Sequence, residues 1–144
     1  MIYTEMTIKA MKIAYEAHLG QLDCNDVPYI FHPYHLAEQM DDEISCVAAL
    51  LHDIVEDTEL TLADLEKIFP AQVVEIVRLL THDEKIDYFD YIREIKTDPI
   101  ATKVKLEDLK NNSDESRSIG SNLTQEQLLH WKAKYARAKE ILLT

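Results

Sequence analysis

Apolar side chains recur at spacings of three and four along most of the chain, which is a helical period. Met6, Ala10, Ile13, Ala14 and Ala17 form the first such stripe, and Gly20 is placed to end that helix. Residues 21–31 (QLDCNDVPYIF) carry no period and read as a loop. His32-Pro33 then opens a helix, because proline suits the first helical position and disfavours the helical region in the residue before it. After a turn near Asp41-Asp42, the run over 43–55 is predicted as one helix, followed by a break at 58–60. Thr61 can cap the next helix, with Asp64 three positions on in a capping-box arrangement. Pro70 opens a helix through Val73, Val74, Ile76, Val77 and Leu80, and further helices are predicted over 87–96 and 99–111. Residues 112–124 (NSDESRSIGSNLT) are polar and turn-like. The last helix places Leu128, Trp131, Tyr135, Ala138 and Leu142 at helical spacing, so these are expected to pack into the core. The predicted fold class is all-α, with one domain over residues 1–144.

Composition narrows what such a bundle can do. The only two glycines are Gly20 and Gly120, so neither a P-loop nor a dinucleotide fingerprint is possible. A bound nucleotide would have to be held without a glycine cradle. The chain carries 27 Asp+Glu against 15 Lys+Arg, a net charge of −12, which argues against a nucleic-acid partner and against an anionic membrane surface. Its longest apolar run, Cys46 to Leu51, is far short of the roughly 18 residues of a membrane span. The N-terminus has no basic segment leading into an apolar one, so no signal peptide is expected. Cys24 and Cys46 form no CxxC and are expected to be reduced thiols, as in a cytoplasmic protein.

Three clusters carry the candidate chemistry. In Cys46-Val-Ala-Ala-Leu-Leu-His52-Asp53-Ile-Val-Glu56-Asp57 an apolar helical run meets four ionisable side chains. On a continuous helix His52 would stack over Glu56, and Asp53 over Asp57. Carboxylates this close raise one another's pKa and are costly to bury, and a divalent cation with mixed N/O ligands would offset that cost. The second cluster, Pro28-Tyr-Ile-Phe-His32-Pro33, holds His32 at a helix start. The third is Val104-Lys105-Leu-Glu-Asp108-Leu-Lys-Asn111-Asn112, where Asp108 and Asn112 share a helix face that Val104 continues into the core. His18, His35, His82 and His130 lack ligand spacing to one another and are expected at the surface or behind the site.

In this order and spacing the clusters resemble the HD-domain metal phosphohydrolases, in particular small stand-alone relatives of the alarmone (ppGpp) hydrolases. The resemblance runs through PYIFHP, ALLHDIVEDT, LTHDEKIDYFDYI and VKLEDLKNNSDESR, which is most of the chain. It implies an HD-type helical bundle in which His32, His52, Asp53 and Asp108 bind one divalent metal, typically Mn²⁺. It also implies that Glu56 and Asp57 are the catalytic carboxylates and that Asn112 faces the nucleoside. Apart from the resemblance, Lys105 is read as a further substrate-binding residue, a cation able to compensate where basic groups are missing. The implied reaction removes the 3′-pyrophosphate of (p)ppGpp by metal-activated water, so the implied partner is a small nucleotide.

Alarmone hydrolases usually carry a basic pair in the loop before this PYIFHP segment, where this chain has Asp23 and Cys24. They usually have a basic residue after the last ligand, here Leu109, and His or Tyr where Asn111 stands. Two alternatives therefore stay open: an HD hydrolase of another nucleotide, such as a nucleoside monophosphate, and a non-catalytic metal- or nucleotide-binding regulatory domain.

Overall fold

The computed structural model describes residues 1–118 and 121–144, so Gly120 lies outside the described residues. Helices α1 (Glu5–Ala17), α2 (Phe31–Glu38) and α3 (Glu43–Leu51) come first, followed by two short ones, α4 (Ile54–Asp57) and α5 (Leu62–Glu66). Then come α6 (Ala71–Leu80), α7 (Tyr88–Ile95) and α8 (Pro99–Asn112), a 3₁₀ turn at Glu115–Ser118, and α9 (Gln125–Leu143). The described residues form no sheet beyond one isolated antiparallel bridge between Leu22 and Pro28. None of their helices is long and apolar enough to cross a membrane. The fold class expected from the pattern is the one observed.

The axis of the bundle is α3, buried from Ser45 through Leu51. A helix apolar on every side must be enclosed on every side, and α3 is packed by α1, α2, α6 and α8. Ala48 and Ala49 keep its girth small, while Val47, Leu50 and Leu51 fill the core. Each of these larger side chains contributes about 1.5–3 kcal/mol relative to exposure. The last turn of α3 therefore delivers His52 to a dry interior.

Caps set the helix starts. Thr4 with Thr7, Thr61 with Asp64 and Thr124 with Gln127 form reciprocal capping boxes. Asp42 accepts from Ser45 N at the start of α3, and Asp98 accepts from Ile100 N and Ala101 N ahead of Pro99, the first residue of α8. Gly20 has φ +87°, a left-handed backbone that lets the chain leave α1.

Two boundaries and the packing of one helix depart from the pattern. Helix α2 begins at Phe31, so His32 is helical and Pro33 sits inside the first turn, where a missing N–H leaves no hydrogen bond unmade. The predicted 43–55 helix stops at Leu51, and α4 restarts at Ile54 after a turn at His52 and Asp53. In α9 only Ala138, Ile141 and Leu142 are buried, whereas Trp131 is 38 % exposed, so the apolar stripe of its first half faces a cavity instead of the core.

Candidate active site

Four ligand-type side chains from three elements converge at the C-terminal end of α3. His32, His52 and Asp53 each bring a ligand atom within 4.8 Å of the other two. Asp108 approaches from α8, its Oδ1 lying 2.8 Å from His32 Nε2 and 3.5 Å from His52 Nε2. His32, His52 and Asp108 are all buried. Residues separated by 76 positions thus meet in one cluster.

Hydrogen bonds behind the two imidazoles decide which nitrogens face inward. His52 Nδ1 donates to the Ala49 carbonyl at 2.7 Å, and a carbonyl can only accept. His32 Nδ1 donates to Asn111 Oδ1, also at 2.7 Å. Both Nε2 atoms then point at carboxylate oxygens, with His52 Nε2 2.9 Å from Asp53 Oδ2 yet in no directed hydrogen bond among the described residues. Electron-rich atoms gathered in this way repel one another unless a proton or a metal cation lies among them. The donor set, two imidazole nitrogens and two carboxylates, fits a divalent ion.

The electrostatics are those of a cation site. Burial opposes charge on His52, but Asp53 and Asp108 outweigh it and push the ring well above the usual histidine range. Burial would likewise raise Asp108, yet Lys105, His32 and His52 hold it well below the carboxylate range. Asp53 is lowered too, because the neighbouring histidines overcome its burial. Of Asp53, Glu56 and Asp57, expected to raise one another, only Asp53 ends up lowered, because the histidines outweigh the raising effect of its neighbouring carboxylate. Lys105 Nζ is committed to Asp108 Oδ2 at 2.9 Å and lies over the Tyr91 ring. It is largely buried, so it acts first on Asp108.

Glu56 and Asp57 stand on α4 at the solvent side of the cluster. The turn at His52 and Asp53 replaces the expected stacking along one helix. At that turn His52 Nδ1–H donates to the Ala49 carbonyl, the acceptor that a continuous helix would offer to Asp53 N–H. Partial burial and the nearby Asp53 raise the pKa of both Glu56 and Asp57. Glu56 Oε1 accepts from His82 N at 2.5 Å, which anchors one oxygen. On the α8 face Asn112 Nδ2 donates to Asp108 Oδ1 at 3.1 Å.

Four supporting residues were not legible as such. Tyr29 donates its hydroxyl to Asp53, and burial with the Asp53 charge holds that phenol far above its usual range. Asn111 orients His32, as above. Gln21 Nε2 donates to the Asp57 carbonyl at 2.7 Å, which fixes its amide so that Oε1 accepts from His18 Nδ1 at 2.8 Å. His18 is thus buried behind the site, while His35 and His130 are exposed. His82 stacks on Tyr91. Tyr29 and Asn111 lie inside motifs the sequence singles out; the contacts of Gln21 and His18 leave no local trace. Both cysteines are free, Cys24 exposed and Cys46 buried.

A helical bundle built around a buried two-histidine, two-aspartate cluster defines a class of domain organised about a cation site. Residues 10–117 match the HD domain family, and the chain belongs to it. That family implies a divalent metal, which the cluster fits. The chain is 38 % identical over 86 residues to the bifunctional (p)ppGpp synthase/hydrolase SpoT of Escherichia coli, covering 57 % of this chain and 12 % of that protein. It is also 38 % identical over 91 residues to the guanosine-3′,5′-bis(diphosphate) 3′-pyrophosphohydrolase MESH1 of Danio rerio, covering 58 % of this chain and 51 % of that one. The match therefore spans about half of MESH1 and a small part of SpoT. Among solved structures, a metazoan ortholog of SpoT that hydrolyzes ppGpp shares the fold, with TM-score 0.78 at 24 % identity over 99 % of this chain and 94 % of that one.

Proposed function

We propose that this protein is a metal-dependent phosphohydrolase that removes the 3′-pyrophosphate of (p)ppGpp. The observation that carries this reading is the convergence of His32, His52, Asp53 and Asp108 with the carboxylates of Glu56 and Asp57 beside them, both shifted upward in pKa by partial burial. The names of the SpoT and MESH1 relatives support the substrate. His32, His52, Asp53 and Asp108 hold the metal, for which Mn²⁺ is the first choice. Bound there, a divalent cation lowers the pKa of a water toward neutrality and offsets charge on phosphoryl oxygens.

The protein's own groups do the rest. Tyr29 and Lys105 fix Asp53 and Asp108 from outside. Glu56, anchored by His82 N–H through Oε1, keeps its other oxygen for a proton. Asp57, whose backbone is tied down by Gln21, can orient the attacking water. Asn112, on the wall of the adjoining cavity, faces the nucleoside.

The test is a nucleotide panel on metal-stripped protein with Mn²⁺ added back. Pyrophosphate release from ppGpp is expected in the wild type and its loss in Asp53→Ala; a wild type inactive on the whole panel would overturn the reading. A second reading, hydrolysis of a nucleoside monophosphate, is favoured by the acidic Asp23 in the cavity wall and would show as orthophosphate release.

A further inference from the structure

Beside the metal cluster lies a cavity of about 440 Å³, between the loop over 21–30, the turn after α8 and the first half of α9. Leu123, Leu128, Trp131 and Tyr135 give it an apolar side. Across from them Asp23 and Arg117 face each other, Oδ2 to guanidinium nitrogen 3.6 Å. The same pair also lines a smaller cavity of about 200 Å³, together with His32 and Asn111.

Arg117 is aimed by α8. One guanidinium nitrogen donates to the Asn111 carbonyl and to Asn112 Oδ1, each at 3.2 Å. A guanidinium only donates, so Asn112 turns its oxygen to Arg117 and its amide nitrogen to Asp108. Arg117 therefore stands two hydrogen bonds from Asp108. Asp23 divides its carboxylate differently. Oδ1 accepts from Asn25 N at 2.8 Å and Val27 N at 3.0 Å, which shapes the loop, and Oδ2 is left as the counter-ion. At 3.6 Å that contact is an ion pair without a close hydrogen bond, between side chains 26 % and 16 % exposed. A contact of that length lacks the hydrogen bonds that make ion pairs strong, whereas a phosphate offers a guanidinium short, charge-assisted, two-point contacts.

Resting on the nucleotide reading above, we propose that Arg117 is the phosphate-recognising residue of this cavity and Asp23 its resident counter-ion. The phosphate group of the nucleotide remote from the metal displaces Asp23 from Arg117. Asp23 repels that group, so the pair sets affinity by charge and makes the cavity discriminate between phosphorylated and unphosphorylated nucleosides less steeply than Arg117 alone would.

The test is calorimetric titration of the Mn²⁺-loaded full chain with GDP, and with guanosine as the phosphate-free control. Arg117→Gln is expected to weaken GDP about tenfold or more and to affect guanosine, which loses only the Arg117 hold on Asn112, far less. Asp23→Asn keeps an oxygen for the loop turn and removes the charge, so it should tighten GDP several-fold. In the double variant the Asp23→Asn gain should vanish. A misfolded variant cannot mimic tighter binding. The proposal is overturned if GDP binds no better than guanosine, if Arg117→Gln leaves GDP unchanged, or if Asp23→Asn fails to tighten it. Pyrophosphate release from ppGpp is scored separately. Its absence alongside the expected GDP pattern sinks the substrate reading and spares Arg117, and release with GDP binding blind to Arg117 does the reverse.

Discussion

The two histidines of the cluster are each held by an acceptor behind the ring, and that pairing separates what the sequence could and could not disclose. His32, His52, Asp53 and Asp108 are legible as a set through the resemblance of three motifs to a known family, since His32 and Asp108 taken singly read as a helix-start residue and one face of an amphipathic helix. Asn111 is legible only as a position, since its bond to His32 joins residues 79 apart and periodicity speaks only within one helix. Partners behind a ligand commonly change metal affinity about 10–100-fold, so Asn111→Ala should weaken Mn²⁺ binding by that order in a calorimetric titration. Unaltered affinity would mean that packing alone orients His32. Glu56 gives a second residue-level test. Burial raises its pKa, so as a base it loses function as pH falls through that raised value. Glu56→Gln should lower kcat about 10²–10⁴-fold, abolish that limb of the pH profile and leave Mn²⁺ affinity intact. A loss of metal affinity would instead make Glu56 a ligand.

Among the elements, α3 shows where pattern reading stops. Its apolar residues predict a buried helix, yet they do not say where it ends; it ends at a turn in which His52 Nδ1–H donates to the Ala49 carbonyl. The first half of α9 shows the complementary limit, since a stripe of Leu128, Trp131 and Tyr135 looks the same whether it meets a core or lines a cavity. Starts were more legible than ends, since capping side chains act within three residues. Asp42 is the cap most directly tied to the site, as it begins the helix that carries His52. Asp42→Ala should cost about 1 kcal/mol in urea unfolding at neutral pH. The Ser45 N–H holds the Asp42 carboxyl below its usual range. A depressed carboxyl stabilises the fold above its unfolded pKa and loses that contribution as pH falls through the folded value. The gap between wild type and variant should therefore close below about pH 4; a gap that persists there would show that the charge of Asp42 is irrelevant to its cap.

At the scale of the whole molecule, the net charge of −12 and the buried cluster become one question. Charge of a single sign works against a compact chain, and Asp53 and Asp108 bring part of it inside the bundle, balanced by His32, His52 and Lys105. A divalent cation that binds only the folded protein adds stability by mass action, about 2.7 kcal/mol at a hundred times Kd. For a chain of this size each kcal/mol moves Tm by roughly 2–4 °C, so saturating Mn²⁺ should raise Tm by about 5–11 °C, reversibly with chelator. Asp53→Asn keeps the volume of the side chain and removes its charge, so the variant should fold and lose most of that rise. Asp108 is the poorer choice for this purpose, because its removal strands the buried Lys105 ammonium and mixes the cost of an unpaired charge with the loss of a ligand. The measurement needs no substrate, so it addresses the cation site independently of what the protein hydrolyses. A wild-type Tm that ignores Mn²⁺ and the other first-row divalent ions would show that protons, not metal, reconcile the carboxylates with the imidazoles, and the hydrolase reading would fall with it.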